Sequence, residues 1–380
     1  MRLFDYRRKR RRRHHSYVSA GGYKKTRRQR GRIYRKRRRS GLYAAAIVAL
    51  VLVFLMGGSV GAFFYLRDSG RKSLREAAKT ERPVFDDLEE ESGLVSRNGK
   101  KYRYNEDMVN ILCMGIDKSR DVSETETEAP GASGENGQAD AIFLLTLNQE
   151  KHTMKLIGIS RDTMTEIRTY DHQGNYVGES TNHLGLAYAF GDGRSLSGEL
   201  MTDAVSGLFY ELPIHGYAAI NLNAIQKLND SVGGVTVTLP EDMELCGQSF
   251  PAGKSLTLDG PQAHSFVRSR DTEQEGSNNL RMARQKQYAL AFVGEAKKAL
   301  KKNPTLAAGL YQDLTADMVT SIGLDEAVYL ASLVPGLSFQ EGDILMLAGD
   351  TRQGAVYEEF YVDEDALLDV IFDTFYTEVR

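Results

Sequence analysis

ADAIFLLTLNQEKHTMKLIGISRDT, residues Ala139–Thr163, decides the fold. Ile142, Leu144 and Leu147 make one apolar run, and Leu156, Ile157 and Ile159 make a second. Asn148, Gln149, Glu150 and Lys151 between them supply a polar turn. The pattern predicts an antiparallel hairpin, in which the start of the first strand lies beside the end of the second. That pairing sets Asp140 next to Arg161 and Asp162 at one edge of a sheet. Acid and base together over an apolar hairpin are the first sign of a site.

Upstream, Gly93–Tyr104 reads as a small hairpin turning at Asn98-Gly99. Asn110–Asp117 (NILCMGID) reads as a buried strand delivering Asp117 to its end. The acidic, Gly- and Ser-bearing stretch Arg120–Gln138 reads as an exposed loop. Downstream, Thr163–Glu179 is polar and reads as irregular, with a turn at Gln173-Gly174-Asn175. Leu196, Leu200, Ala204 and Leu208 recur at helical spacing, and Tyr217–Asn221 reads as a short strand. A second helix carrying Ala224, Ile225 and Leu228 ends at Gly233-Gly234, before the strand Val235–Leu239. Leu245–Leu258 reads as loop-rich. A helical turn at Gly260–Ala263 leads to Phe266–Arg270 (FVRSR), and a helix covers Leu280–Leu300. Toward the end, Leu324–Leu333 is helical and Ile344–Leu347 and Tyr357–Val362 are strands. Asp363 caps a closing helix that runs through Phe375. Strands and helices mixed in this order predict an α/β fold with helices on both faces of its sheet.

Charged residues fall at the element ends. Asp117 ends one strand, Asp140 opens the next and Arg161-Asp162 end the third. If FVRSR is a strand, Arg268 and Arg270 point to one side. In LRMARQKQ, Arg281, Arg284 and Gln285 stand at i, i+3 and i+4, one helix face. Two acids facing an excess of arginines match a diphosphate with Mg²⁺. The carboxylates are hard oxygen ligands for the metal, and guanidinium groups pair with phosphate oxygens. No spacing of Cys and His suggests zinc. Cys113 lies in an apolar strand and reads as a buried thiol, with a Cys113–Cys246 bridge as the other possibility.

The net charge of −2 conceals an asymmetry: residues 1–41 hold 19 of the 49 Lys and Arg and a single acid, Asp5. The remaining 339 residues carry 30 basic and 50 acidic side chains. Between these regions Leu42–Leu66 has 25 residues without a charge, enough to cross a hydrocarbon core of about 30 Å. A cleaved signal peptide would have a shorter apolar region and a small-residue cleavage site, so the stretch reads as a retained anchor. The positive-inside rule then puts residues 1–41 in the cytoplasm and everything after Arg67 outside. The arginine runs Arg7–Arg13 and Arg35–Arg39 suit anionic lipid headgroups. No aromatic platform or folded module accompanies them, which argues against nucleic acid as a partner. The expected organisation is a basic tail (1–41), a transmembrane helix (42–66), a juxtamembrane stalk or short helix (67–92) and an extracytoplasmic domain (93–380, core 110–300).

Asp117, GQADAIFLLTLN, the ISRDT of Ile159–Thr163, the LAYAFGDG of Leu186–Gly193, the LNDSVGGVTVTLP of Leu228–Pro240, the LDGPQAHSFVRSR of Leu258–Arg270 and the RMARQ of Arg281–Gln285 resemble, in order, the motifs of the LytR-CpsA-Psr family. The resemblance covers residues 110–300 and implies a mixed central sheet in an α-β-α arrangement. It also implies a cell-wall glycopolymer ligase of the Gram-positive type. Such an enzyme moves teichoic acid, capsular or related polymers from an undecaprenyl-pyrophosphate carrier to peptidoglycan through a phosphodiester. On this reading Asp117 and Asp140 are Mg²⁺-associated carboxylates. Arg161, Arg268, Arg270 and Arg281 are pyrophosphate-binding arginines, with Arg284 and Gln285 beside them. Asp162 positions Arg161 or acts as base for the acceptor hydroxyl, positioning being the favoured role. The chain departs from the family pattern Gly-Arg-Ser-Asp-Thr at Gly137-Gln138-Ala139-Asp140-Ala141, where Arg120 could replace the missing arginine. It also has His183-Leu184-Gly185 in place of Lys-Ile-Asn. A polyprenyl-pyrophosphate pyrophosphatase and a non-catalytic envelope regulator remain alternatives from sequence alone.

Overall fold

The computed structural model describes residues 61–76, 82–86, 88–117, 137–171, 173–269, 277–355 and 357–379. The basic tail, most of the apolar segment 42–66, the loop bearing Arg120, and Arg270 lie outside them. Among the described residues no helix is long and apolar enough to cross a membrane.

The first described element is a helix, α1 (61–76), then come β1 (Glu90–Glu91) and the hairpin β2 (Leu94–Arg97) and β3 (Lys100–Tyr104). Asn98 and Gly99 join the hairpin at φ 52° and 74°, the two positive values of a type I′ turn. Next come β4 (Met108–Ile116), β5 (Ala139–Asn148), β6 (Thr153–Ile159), β7 (Met164–Tyr170) and β8 (Tyr176–His183). They are followed by α2 (Gly185–Ala189), α3 (Ser195–Leu208), β9 (Gly216–Asn221) and α4 (Leu222–Ser231). A small-strand region holds β10 (Val235–Thr238), β11 (Met243–Leu245), β12 (Gln248–Phe250) and β13 (Ser255–Leu258). Helices α5 (Gly260–Arg268), α6 (Ser277–Lys302) and α7 (Leu306–Leu314) lead to β14 (Met318–Thr320) and α8 (Leu324–Leu333). The chain closes with β15 (Ile344–Met346), β16 (Gly349–Gln353), β17 (Glu358–Val362), α9 (Glu364–Phe375) and β18 (Tyr376–Val379).

Six strands form the central sheet in the order β14-β9-β4-β5-β6-β15. It is mixed: β4 and β9 run parallel, as do β6 and β15, while the β4-β5-β6 meander is antiparallel. Period-2 alternation divides the meander between two layers. Leu112, Met114, Ile142, Leu144, Ile157 and Ile159 point to a core shared with Tyr188 of α2, Val205 of α3 and Ile371 and Phe375 of α9. Val109, Ile111, Leu147 and Met154 point the other way, onto Leu74 of α1 and Tyr329 of α8. Helices on both faces are thus the observed arrangement. A separate core joins Val235, Val237, Leu258 and Phe266, with Tyr288 and Phe292 of α6 against it. Asn229, fully buried, ties this unit together: its amide donates to Leu258 O and its carbonyl accepts from Val235 N and Tyr288 Oη.

Several expectations are corrected. Thr163–Glu179 is not irregular: β7 and β8 form a two-stranded antiparallel ribbon, closed by an Asx turn in which Asp171 Oδ1 accepts from the Gln173 and Asn175 amides. Leu245–Leu258 holds β12, which pairs with β11 just before it, and β13, rather than loop alone. Phe266–Arg268 belongs to α5, not to a strand. A capping box between Asp259 and Gln262, with Pro261 in the first turn, starts that helix firmly enough to carry through Arg268. Cys113 and Cys246 are free thiols, which agrees with the reading of Cys113 as a thiol and sets aside the bridge. Within 67–92, helical residues dock on α8: Ser69 Oγ donates to Asp325 Oδ2 at 2.7 Å, and a Cβ at Gly70 would lie 2.2 Å from Asp325 O.

Candidate active site

The predicted hairpin pairs Ile142 with Ile159, so Asp140 and Arg161, two residues further out on each strand, meet at the sheet edge. Arg161 Nη1 donates to Asp140 Oδ1, and Arg161 Nε lies 3.5 Å from Asp162 Oδ1. Burial alone would lower the Arg161 pKa. The hydrogen bond and charge of Asp140, with the charges of Asp162 and Asp117, outweigh it and raise the pKa. A register shift between Gly115 and Ile116 pairs Ile116 with Ala139 and places Asp117 just beyond the strand, its N–H donating to Gln138 O at 3.3 Å. Three carboxylates therefore surround one guanidinium.

The backbone of Arg161 is held by Gly185, whose N–H donates to Arg161 O at 2.9 Å. A Cβ at Gly185 would sit 3.0 Å from Ala139 O and 3.2 Å from the Arg161 Cβ, so only glycine permits this approach without displacement. On the other side, Asp162 O accepts from Phe360 N at 2.9 Å, and Thr163 bridges to Phe360 in parallel register. Strand β17 thus closes the site.

A cleft of about 330 Å³ is lined by Asp140, Arg161, Asp162, Arg281, Gln285, Tyr357 and Glu358, over Phe143 and Met346. Beside it an apolar groove of about 390 Å³ runs between the sheet and α6. Met114, Phe143, Ile220, Tyr288, Phe292 and Met346 line this groove, and Gln285 and Phe143 line both spaces. Cys113 borders the groove, where burial pushes its thiol up to about 12 and keeps it neutral. The groove holds almost no charge, and the cleft is mostly charge.

The structure brings Asp140, Arg161, Asp162, Arg281 and Gln285 to the cleft and sets Asp117 within electrostatic reach. Arg268 is exposed at the last residue of α5 and does not line the cleft. The expected shared face of Arg281, Arg284 and Gln285 is corrected. Arg284 is 3% exposed and turned into the α5–α6 junction. Its Nε donates to Phe266 O at 3.1 Å, and its terminal nitrogens donate to Ser269 O and Glu241. Carbonyls at the α5 C-terminus lack helical partners, and Arg284 supplies them. Gln285 also reaches that end, donating to Val267 O at 3.2 Å. Tyr357, Glu358 and Gly185 have no signature in the sequence beyond ordinary strand and turn residues.

Known proteins match this architecture. The LytR_cpsA_psr family matches residues 70–371. The polyisoprenyl-teichoic acid–peptidoglycan teichoic acid transferase TagU of Oceanobacillus iheyensis is 31% identical over 221 residues, 58% of this chain. The match spans only 61% of that relative's length. The TagU of Bacillus mycoides is 28% identical over 284 residues, 72% of this chain and 80% of its own. The crystal structure of B. subtilis TagV superposes with a TM-score of 0.53 at 22% identity, over 70% of this chain and 95% of that one, and so shares the fold.

Proposed function

Because this chain belongs to the LytR_cpsA_psr family, we propose that it transfers an anionic glycopolymer from an undecaprenyl-pyrophosphate carrier to peptidoglycan, leaving a phosphodiester. The observation that carries the reading is the joining of the two spaces. A charged cleft suited to a diphosphate meets an apolar groove suited to a polyprenyl chain at Phe143, Gln285 and Met346. A soluble sugar nucleotide would have no use for the groove, and a simple lipid would have no use for Arg161 and Arg281.

In this reading Arg161 and Arg281 bind the diphosphate oxygens and Gln285 stands at the boundary between head group and chain. Asp162, 3.5 Å from Arg161 Nε, positions that guanidinium. An acceptor hydroxyl of peptidoglycan attacks the polymer-proximal phosphorus and undecaprenyl phosphate leaves. Fixed positive charge around the phosphates stabilises the charge that develops on the leaving group, the contribution that dominates such transfers.

The Mg²⁺ proposal rests on donor chemistry. Asp117 and Asp140 offer hard oxygens where both act on Arg161 at the sheet edge. Two carboxylates suit an ion that usually completes its shell with substrate phosphate and water. When bound, the ion would neutralise phosphate charge. The membrane anchor at 42–66, with the cytoplasmic basic tail and external domain, belongs to the same proposal: it holds the enzyme in the bilayer that carries its donor.

Native mass spectrometry of the detergent-extracted chain tests the reading. A copurified polyprenyl phosphate or pyrophosphate is expected, and a groove that never acquires a polyprenyl lipid contradicts it.

A further inference from the structure

The ligase reading leaves the acceptor without a place and its hydroxyl proton without a destination. The two aspartates that line the cleft are already engaged. Asp140 accepts from Arg161, and Asp162 lies against the same guanidinium. One further carboxylate lines the cleft, Glu358 at the first residue of β17. Its neighbour Glu359 turns to the other side of the strand and accepts from Tyr361 Oη at 2.8 Å. Among the described residues Glu358 has neither an ion pair nor a hydrogen bond through its side chain. The Thr163–Phe360 bridge is parallel, so two residues back along each chain Glu358 falls on the Arg161 side of the cleft.

Tyr357 precedes it. The ring is 69% exposed at the cleft wall, and its edge-to-face contact with His183, 6.3 Å between centroids at 68°, steadies one side of it. A tyrosine face presented beside a carboxylate offers a pyranose both an apolar surface for its C–H groups and an acceptor for its hydroxyls. Position separates this wall from the donor. The groove meets the cleft at Ala141, Phe143, Gln285 and Met346, whereas Tyr357 and Glu358 line the cleft alone. Displacement at phosphorus places the attacking and leaving oxygens roughly in line. With the lipid leaving group on the groove side, the nucleophile enters from the wall that the groove does not share.

We propose that Tyr357 and Glu358 form the acceptor subsite of the cleft, Tyr357 as the platform for the incoming glycan ring and Glu358 as the base for its hydroxyl. This rests on the ligase reading. The acceptor O–H bond breaks as its proton passes to the Glu358 carboxylate. The acceptor oxygen forms its bond to phosphorus, and the bond from phosphorus to the bridging oxygen breaks with its electron pair leaving on polyprenyl phosphate. Glu358 then returns its proton to water.

The test is transfer of a labelled polymer from a polyprenyl-pyrophosphate donor to a peptidoglycan oligosaccharide, with copurified lipid measured in parallel. Glu358→Gln is expected to lower kcat by about 10²-fold or more, to leave bound lipid and acceptor KM unchanged, and to remove the acid limb of the pH–rate profile. Glu358→Asp restores part of the rate. Tyr357→Ala raises acceptor KM with kcat held, and Tyr357→Phe, which keeps the ring face, raises it less. Wild-type protein that transfers polymer, with Glu358→Gln and Tyr357→Ala equal to it, overturns the assignment alone. Wild-type protein that holds donor lipid yet attaches nothing to the acceptor overturns the ligase reading and the assignment with it.

Discussion

Asp140 and Arg161 form an ion pair across the open end of the β5–β6 hairpin, 21 positions apart in sequence and adjacent in space. Both side chains stay about half exposed, Arg161 at 48% and Asp140 at 40%. An exposed pair of this kind contributes about 0–1 kcal/mol to stability. Arg161→Ala and Asp140→Asn are therefore expected to melt within a few degrees of the wild type while losing transfer by about 10²-fold or more, as removal of a transition-state donor does. Thermal melting alongside the transfer assay checks both halves.

Arg284 should behave in the opposite way. Its guanidinium is buried and satisfies Phe266 O and Ser269 O while pairing with the partly exposed Glu241. Arg284→Ala strands those carbonyls and is expected to cost about 2–4 kcal/mol, with activity per folded molecule retained within a few-fold. Urea denaturation measures the loss, and the assay at a permissive temperature separates it from catalysis.

If the groove holds the donor lipid, its volume limits donor binding. Ala289 of α6 lines only the groove, and Ala289→Trp fills space that a polyprenyl chain would use. The variant is expected to copurify with little or no lipid, while keeping the circular dichroism spectrum of the wild type. Unchanged lipid content would place the chain elsewhere.

Acid should destabilise the domain through His215. Burial lowers its pKa from 6.5, and its Nδ1, which accepts from Asn110 N at 3.0 Å, would lose that bond on taking a proton. The unfolded chain binds that proton first, so the stabilising contribution is full above about 6.5 and declines as pH falls through the folded value. His264, lowered by burial and then by the Arg268 charge, acts in the same sense. Melting temperature is expected to fall between pH 7.5 and 5.5, with a shallower fall in His215→Asn.

Sequence reading reached the parts of this fold where one periodicity dominates. The β5–β6 hairpin alternates cleanly because each face meets a core, and that alternation alone brought Asp140 to Arg161. The β7–β8 ribbon was invisible because most of its residues on either side remain exposed or half-exposed, leaving no alternation to read. Phe266-Val267 has the composition of a strand, yet the cap at Asp259 and the buried contacts of Phe266 make it helical. Spacing put Arg281 and Arg284 on one face of α6, but only packing distinguishes the arginine that faces the cleft from the one that ties α5 down. Glu358 was beyond reach, since only a long-range bridge through Thr163 and Phe360 carries it to the site.

The most direct measurement supplies the purified full chain with an undecaprenyl-pyrophosphate-linked polymer, Mg²⁺ and purified peptidoglycan, then asks where the labelled phosphate goes. The account predicts polymer joined to peptidoglycan through a phosphodiester, with undecaprenyl phosphate released and the yield abolished in Arg161→Ala. Free phosphorylated polymer accumulating at the wild-type rate with none attached would contradict it and mark the protein as a pyrophosphatase.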